Sequence, residues 1–169
     1  MAKFSREGGA VEHKKPGLIK KIEKSFEETP DIAIGFPRGK AASIQYPDGT
    51  PLIDVAVYNN YGTFNEDGSI HIPPRPFMDI GGVQAVNQTR QMRLALWKKV
   101  RSGEISAEDA AEIIGSKASA IMKNTIRDFD DPPNAPSTIA RKKSSNPLVD
   151  TGLLMQSVTW DVRKKKKTV

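Results

Sequence analysis

The clearest hydrophobic pattern in the chain predicts a long amphipathic helix in its second half. From Ser106 to about Phe129, apolar residues recur every three or four positions, the period of an α-helix with one buried face. Asp109 follows Ser106 at capping-box spacing, and Ile105 is placed as a hydrophobic staple. The residues of the apolar face are Ala110, Ile113, Ile114, Ala118, Ile121, Met122, Thr125 and Ile126.

The same period predicts two further helices. A long one runs from Phe77 to about Arg101, where a Ser-Gly pair ends it, and Phe77 is placed as a core anchor at its start. A shorter one lies near the N-terminus and is stopped by Pro30, because proline lacks the backbone donor that a helix needs. The apolar stripes are Leu94, Trp97 and Val100 in the long helix and Leu18, Ile22 and Phe26 in the short one.

Short segments elsewhere are typical of strands. Residues 31–36 alternate weakly between apolar and polar, and residues 42–46 follow them. The sequence 47–50 contains Pro, Asp and Gly in the order that favours a turn, so residues 52–58 are expected to return as a third strand. These segments predict an antiparallel meander, and residues 158–162 are a candidate for a last strand.

Two short helical elements are expected near the C-terminus. Residues 137–143 are predicted to form a helical turn. Asp150 is a good N-cap residue for a helix over Thr151–Ser157, because its carboxylate can accept from the free backbone donors of the first turn. Leu153 and Leu154 in that helix are expected to serve the core.

Together these elements predict an α+β fold, in which a small antiparallel β-sheet packs against two long α-helices. The length of 169 residues suits one domain. Residues 1–16 are rich in Gly, Lys and Glu and are interpreted as a flexible arm. Residues 17–162 are assigned to a single α+β domain, and residues 163–169 to a basic tail.

The net charge of +6 is concentrated at the C-terminus. Five positive charges lie in one run, so the rest of the chain is close to neutral. Such a run is either a solvated end or a contact for nucleic acid or an acidic partner, and it lacks the interleaved aromatic residues that stack on bases. The candidate contact residues are Arg163, Lys164, Lys165, Lys166 and Lys167.

The residues that usually carry enzyme chemistry are sparse. The chain has no cysteine, and its two histidines, His13 and His71, have no partner at ligand spacing. It contains no phosphate-binding glycine motif and no nucleophile motif. We therefore predict that the protein is not an enzyme and uses no metal or cofactor. The rival prediction is a metal-dependent nuclease that uses Asp128, Asp130 and Asp131.

Two proline-rich segments stand out instead, at residues 73–77 and 132–136. Proline fixes φ, so each segment is stiff and extended and could present a pre-organised surface. The alternative interpretation is that both segments only connect helices. No stretch is long and apolar enough to cross a membrane, and the first residues lack the apolar core of a signal peptide.

The first proline-rich segment and three other stretches of the sequence resemble the motifs of a known protein family. Asn60-Tyr61-Gly62-Thr63 followed by residues 72–78 resembles the paired N-x-G-T and P-R-P-F signature of tail-completion and neck proteins of lambda-like and Mu-like tailed phages. Residues 136–142 resemble that family's T-x-x-x-K segment, with a loose match, and residues 147–159 resemble its P-L-x-D-T-G close. The pieces occur in the family's order and span about residues 54–160.

The resemblance implies a structural virion protein that forms a ring at the head–tail junction, as a neck, tail-completion or tail-terminator subunit. A closed ring of identical subunits needs a heterologous interface, and six copies are expected, with twelve as the alternative. The implied partners are neighbouring neck, connector and tail-tube proteins and the genomic DNA in the lumen, with no membrane. The implied location is the virion, after assembly in the host cytoplasm.

The interface candidates come from the motif positions. Arg75, held extended between two prolines, is expected to reach a carboxylate or the carbonyls of a neighbouring subunit, and Arg75→Ala is expected to leave the monomer folded. The alternative function is a nucleic-acid-binding protein, which requires basic residues on a folded face. The interface candidates are Tyr61, Gly62, Thr63, Pro74, Arg75, Pro76, Thr138, Lys142, Asp150 and Thr151.

Overall fold

The computed structural model describes residues 29–41 and 43–164, together with Gly17 and Lys20. The arm at 1–16, almost all of the helix expected over Leu18–Phe26 and the basic residues Lys165–Lys167 therefore lie outside the described residues. The strands are β1 (Asp31–Gly35), β2 (Thr63–Phe64), β3 (Ile70–Ile72) and β4 (Thr159–Arg163). The helices are α1 (Arg38–Ala41), α2 (Leu52–Tyr61), α3 (Phe77–Gln88), α4 (Arg90–Ser102), α5 (Ala107–Arg127), α6 (Pro136–Lys142) and α7 (Leu153–Ser157).

The fold mixes helices with two small antiparallel sheets. β1 pairs with β4 from Asp31 opposite Arg163 to Gly35 opposite Thr159, so the two ends of the described chain meet in one sheet. β2 and β3 form a separate hairpin, with an irregular register between Thr63 and Phe64. The predicted mixture of helices and antiparallel strands is confirmed, while the pairing of β1 with the last strand differs from the expected meander.

The meander expected over residues 31–58 is wrong. Residues 42–46 form no named strand, and only an isolated bridge joins Gln45 to Pro51. Leu52–Tyr61 is a helix, because its buried residues Leu52, Ala56 and Asn60 recur every four positions. Its β-branched residues favoured a strand locally, but packing of this four-residue stripe overrides that local preference.

α5 is the centre of the fold, as its periodicity predicted. α3, α4 and the β1–β4 sheet all pack against it. The capping box at its start is present, since the Ser106 Oγ accepts from the Asp109 N–H at 2.9 Å and the Asp109 carboxylate accepts from the Ser106 N–H at 3.3 Å. These two bonds satisfy backbone donors that have no partner within the helix.

The second long helix is divided into α3 and α4 at Thr89. This threonine is buried, and its hydroxyl donates to the Ala85 carbonyl at 2.6 Å. A hydroxyl bonded back to the preceding turn competes with the helical ladder at that point. Both helices still pack on α5, so the division at Thr89 leaves each of them in contact with the central helix.

The core lies where α2, α3, α5 and α7 meet. Phe77 is fully buried, which confirms its expected role as a core anchor. Leu154 is also buried, and Leu153 packs partly against the same cluster. The largest fully buried side chains among the described residues are Phe77, Leu52, Met122, Ile126 and Val158.

The N-cap expected at Asp150 is wrong. α7 begins at Leu153, and the residue before it, Gly152, has a φ of +79°. This left-handed residue turns the chain into the helix, so Asp150 lies too far upstream to cap it. Thr151 supplies a local contact instead, since its hydroxyl accepts from the Leu153 N–H at 3.3 Å. The helical turn expected at 137–143 and the last strand are present as α6 and β4.

Candidate functional site

The start of α3 is held by a side chain from the end of α2. Asn60 is only 3% exposed. Its Oδ1 accepts from the Met78 N–H at 3.0 Å, and its Nδ2 donates to the Asp79 carboxylate at 3.3 Å. Pro76 precedes α3 and gives it no side-chain cap. Asn60 therefore caps α3 from another helix, which gives a structural reason for the asparagine in the Asn60–Thr63 motif.

Gly62 lets the chain leave α2 close to the first proline-rich segment. Its φ is +76°, and a Cβ placed on it would lie 2.7 Å from the Ile72 carbonyl oxygen and 2.9 Å from the Pro74 nitrogen. Both atoms belong to the backbone and cannot move aside without shifting the segment. The neighbouring Asn59 carbonyl accepts from the Arg75 N–H at 2.8 Å. The two motif pieces therefore fit together through their backbones.

Arg75 joins the two proline-rich segments. Its Nε donates to the Pro132 carbonyl at 3.1 Å, and its Nη2 donates to the Pro133 carbonyl at 3.3 Å and to the Asn134 Oδ1 at 3.5 Å. The residue is 4% exposed, and burial lowers the pKa of its guanidinium. Its carbonyl partners thus belong to its own chain, which corrects the expectation that Arg75 reaches across to a neighbouring subunit.

Two asparagines continue this network, and sequence reasoning assigned them no role. Asn134 donates through Nδ2 to the Asn146 carbonyl at 3.1 Å. The Asn146 Oδ1 accepts from the Leu148 and Val149 N–H groups, both at 2.9 Å, and its Nδ2 donates to the Arg127 carbonyl. The available signal was their position beside prolines, where asparagine side chains commonly satisfy turn backbones.

These segments enclose a cleft of about 770 Å³. It brings together Arg75, Thr138, Lys142 and Asp150, which the sequence had placed in three separate motif pieces. Arg141 adds a further positive charge, so the lining carries three cationic side chains and the Asp150 carboxylate. The Lys142 Nζ donates weakly to the Pro147 carbonyl at 3.5 Å. We call this site the motif cleft.

Electrostatics in the motif cleft centre on Asp150. Burial lowers the pKa of Lys142; the Asp150 charge opposes that shift, while Arg75 and Arg141 add to it. Burial also raises the pKa of Tyr46, and the Asp150 carboxylate raises it further by disfavouring a second negative charge. The groups lining this cleft mostly bond to main-chain carbonyls, an arrangement that fixes loops in place.

The remaining interface candidates do not line the motif cleft. Tyr61 is strongly exposed, and Pro74, Pro76 and Thr151 are also exposed. Thr63 is half-buried, and its hydroxyl oxygen is buried without a hydrogen-bond partner among the described residues. The structure therefore separates the motif residues into an inner group, including Arg75 and Gly62, and an outer group that faces solvent.

The carboxylates of the nuclease hypothesis line a different cleft, of about 530 Å³. Asp128 is paired with Arg127 at 2.7 Å, and the hydrogen bond from that guanidinium lowers the pKa of the Asp128 carboxyl. Within residues 29–41 and 43–164, no three His, Cys, Asp or Glu side chains come close enough together to hold a metal ion. Asp130 and Asp131 thus do not converge with Asp128 on a metal position.

The basic tail is described only at its start. Arg163 is the last residue of β4 and pairs with Asp161 at 2.9 Å. The Lys164 Nζ lies 3.9 Å from the Glu108 carboxylate, and both side chains are well exposed. Lys165, Lys166 and Lys167 lie outside the described residues.

A folded basic surface exists elsewhere, on α4, and sequence reasoning missed it. This helix contains no acidic residue, and its cations are spread along its length, with only Lys98 and Lys99 adjacent. The missed signal is therefore the absence of carboxylates over a helix length. Its basic residues are Arg90, Arg93, Lys98, Lys99 and Arg101.

Comparison of the chain with protein-family models, with curated proteins and with solved structures finds no match. Among the helices of the described residues, none has the length and apolar character needed to span a bilayer.

Proposed function

We propose that this protein is a structural subunit of a tailed-phage particle that forms a ring at the head–tail junction. In this role it completes the tail, joins it to the filled head and leaves a conduit for the genome. The proposed ring has six copies, with twelve as the alternative, and contacts neck, connector and tail-tube proteins. The α+β domain with its long helices would form the ring wall.

One observation supports this proposal above the others. The motif pieces are separated by up to about ninety residues in the sequence, yet three of the four pieces line one cleft, and the Asn60–Thr63 piece contacts one of those three. Asn60 and Gly62 hold the Pro74–Phe77 piece, and Arg75 faces Thr138, Lys142 and Asp150 across the cleft. A coincidental match of short motifs has no reason to bring its parts together in space.

The structure also refines the proposed role of Arg75. Because its guanidinium bonds to the Pro132 and Pro133 carbonyls of the same chain, it is proposed as a positioning residue. It locks the two stiff segments relative to each other, and the exposed prolines Pro74 and Pro76 then present a surface with little conformational entropy left to lose. Such a pre-organised surface suits a subunit that must meet neighbours in a fixed orientation.

The decisive experiment disrupts the gene in the phage and examines the particles. We expect filled heads and separate tails to accumulate, and wild-type protein supplied from a plasmid to restore joining. Symmetry-resolved imaging of complemented particles should then place this chain in a ring at the neck. Normally joined particles in the absence of the protein would overturn the proposal.

A second candidate function, binding of nucleic acid, is favoured by the carboxylate-free helix α4. A salt titration separates the two. Tight binding of duplex DNA by the purified monomer, with an affinity that falls steeply with salt, would favour this candidate, because phosphate contacts release counterions. The ring proposal instead expects weak binding and no defect in DNA packaging when the exposed cations of α4 are neutralised.

A further inference from the structure

The β2–β3 hairpin, residues 63–72, is exposed and has an acidic turn. Phe64 lies opposite Ile70 in the strand pair, and these side chains are 68% and 60% exposed. Glu66 and Asp67 occupy the turn, both exposed. The two strands pack mainly on each other, so most of the apolar surface of the hairpin is uncovered. Large apolar side chains left exposed in this way mark interaction sites.

The hairpin is pre-formed for binding. The Asn65 N–H donates to the Ser69 carbonyl at 2.8 Å, and the Ser69 N–H and hydroxyl both donate to the Asp67 carboxylate, at 2.9 and 2.6 Å. These bonds lower the pKa of the Asp67 carboxyl, so the group stays negatively charged at neutral pH. A partner therefore meets a fixed turn that carries negative charge beside two apolar side chains.

The outer face of α4 has the opposite chemistry. Leu94 is 52% exposed, and Arg90 and Lys98 lie four positions before and after it, which places all three on one face of the helix. Arg101 extends this face by one turn. Among the ion pairs of the described residues, Lys99 bonds to Glu104, and no pair involves Arg90, Lys98 or Arg101. We call the surface formed by Arg90, Leu94, Lys98 and Arg101 the basic face.

The two surfaces lie beyond opposite ends of α3. The hairpin ends at Ile72, before the first turn of α3, and α4 begins at Arg90, after its last turn. A helix of 12 residues extends about 18 Å at 1.5 Å per residue. The separation favours pairing between molecules over pairing within one molecule. Two different surfaces of one chain that fit each other make a heterologous contact, the type that closes rings.

We propose that the hairpin of one copy docks on the basic face of the next copy around the ring. Phe64 and Ile70 pack against Leu94, and Glu66 and Asp67 face Arg90, Lys98 and Arg101. The proposed occupant is a second copy because both the apolar and the charged parts of the two surfaces match. This inference rests on the proposed ring, and it adds the interface that builds it.

The absence of native cysteine makes the contact directly testable. Phe64→Cys and Leu94→Cys are introduced in separate full-length chains, mixed and treated with a short bis-maleimide linker. We expect a dimer that contains one copy of each variant, and few dimers from either variant alone. The double variant in one chain should give a ladder of oligomers. The matched control is Ile113→Cys on α5, also exposed at 45%, which should not cross-link to Phe64→Cys.

Charge reversal provides an independent readout. Glu66→Lys with Asp67→Lys, or Arg90→Glu with Lys98→Glu, should each lower the oligomeric fraction by about ten-fold or more, because like charges then face each other across the interface. A chain that carries all four reversals restores opposite charges and should recover most of the assembly. Native mass spectrometry measures the oligomer distribution, and far-ultraviolet circular dichroism verifies that each variant is folded.

The outcomes separate this interface from the ring itself. Dimers of Phe64→Cys with itself would show a symmetric contact and overturn the proposal. A lack of mixed dimers, in a sample that native mass spectrometry shows to be oligomeric, would also overturn the proposed hairpin interface. It would leave the ring proposal unaffected. Loss of DNA binding on reversal of the basic face, with unchanged oligomers, would assign that face to nucleic acid. A protein that stays monomeric and absent from particles would overturn both proposals.

Discussion

The packing around α5 and the packing around the motif cleft are built in different ways. Around α5 the contacts are apolar and close, and Gly115 leaves the space that the Trp160 ring fills. The motif cleft is lined by loops together with parts of α2, β3, α6 and α7. At or beside it, three buried polar residues, Asn60, Arg75 and Asn134, bond to backbone groups, to each other or, for Asn60, to the Asp79 carboxylate. One region depends on many similar contacts and the other on a few specific ones.

This difference separates stability from presentation of a surface. Apolar packing has little directional preference, so the α5 region tolerates changes that conserve volume. A hydrogen-bond network has fixed geometry, and removing one member leaves buried groups without partners. The motif cleft should therefore respond to single polar substitutions by local changes in its loops, whereas the α5 region should respond by loss of global stability.

The largest expected effect is in the apolar region. Ile126→Ala removes a fully buried side chain from the core cluster and should lower the free energy of unfolding by ~2–5 kcal/mol, the range for large-to-small core substitutions. Ile113→Ala, on the same helix but 45% exposed, is the matched control and should cost less than ~1 kcal/mol. Urea unfolding measures both, and similar losses for the two variants would contradict the assigned core.

The next effect is in the motif cleft. Arg75→Ala leaves the Pro132 and Pro133 carbonyls without their donor and should cost ~1.5–3 kcal/mol, the range for hydrogen bonds to a charged group. We also expect faster proteolysis near residues 130–136, because the second proline-rich segment loses its anchor. Arg75→Lys should recover only part of the loss, since an ammonium lacks the planar fork of donors.

The control for this prediction is Arg127→Ala. Arg127 is exposed and pairs with its neighbour Asp128 in solvent, so its removal should change stability much less than Arg75→Ala does. It should also leave the rate of proteolysis unchanged. If Arg75→Ala behaved like this control, Arg75 would not hold the segment.

A smaller effect tests the close backbone approach at Gly62. Gly62→Ala places a Cβ against the Ile72 and Pro74 backbones at a positive φ, and such strained positions cost ~1–3 kcal/mol. Gly68→Ala in the hairpin also has a positive φ but open space around it, so it should cost less than Gly62→Ala, because it carries the backbone strain without the close contact. Thermal unfolding compares the two, and equal losses would mean that the close approach contributes nothing.

The sequence predicted the apolar region better than the motif cleft. α5, its capping box and the core position of Phe77 follow from local patterns, because helical periodicity and capping depend on neighbours within a few residues. The pairing of β1 with β4 joins residues more than 120 positions apart, and no local pattern encodes such a partner. The helix α2 was mistaken for a strand for the same reason, since its partners lie in distant parts of the chain.

The candidate site was predicted as a set of residues but without their arrangement. Motif resemblance selected Arg75, Thr138, Lys142 and Asp150, and the structure brings them to one cleft. The predicted acceptors of the Arg75 side chain, on a neighbouring subunit, were wrong, because the carbonyls that accept from it are on the second proline-rich segment of the same chain. Every residue has a backbone carbonyl, so no particular residue type marks the acceptors of Arg75. The sequence alone therefore does not indicate which carbonyls its side chain binds.

The smallest expected effect concerns the charge of Asp150 in the motif cleft. Asp150→Asn removes a negative charge that opposes the lowering of the Lys142 pKa and adds to the raising of the Tyr46 pKa. Both pKa values should therefore fall, that of Lys142 away from its ordinary value and that of Tyr46 toward it. Asp48→Asn is the control, because Asp48 acts more weakly on Tyr46 and is not among the causes for Lys142.

The signs of the stability changes differ between these two groups. The folded pKa of Lys142 is lowered, so between that value and its ordinary pKa the unfolded chain binds more protons, and stability rises with pH. The folded pKa of Tyr46 is raised, so its contribution is present below its ordinary pKa and is lost as the pH rises through the folded value. NMR titration of the lysine ε-carbon and tyrosine ζ-carbon measures both groups. Unchanged titrations in Asp150→Asn would mean that the Asp150 charge does not act on Lys142 and Tyr46.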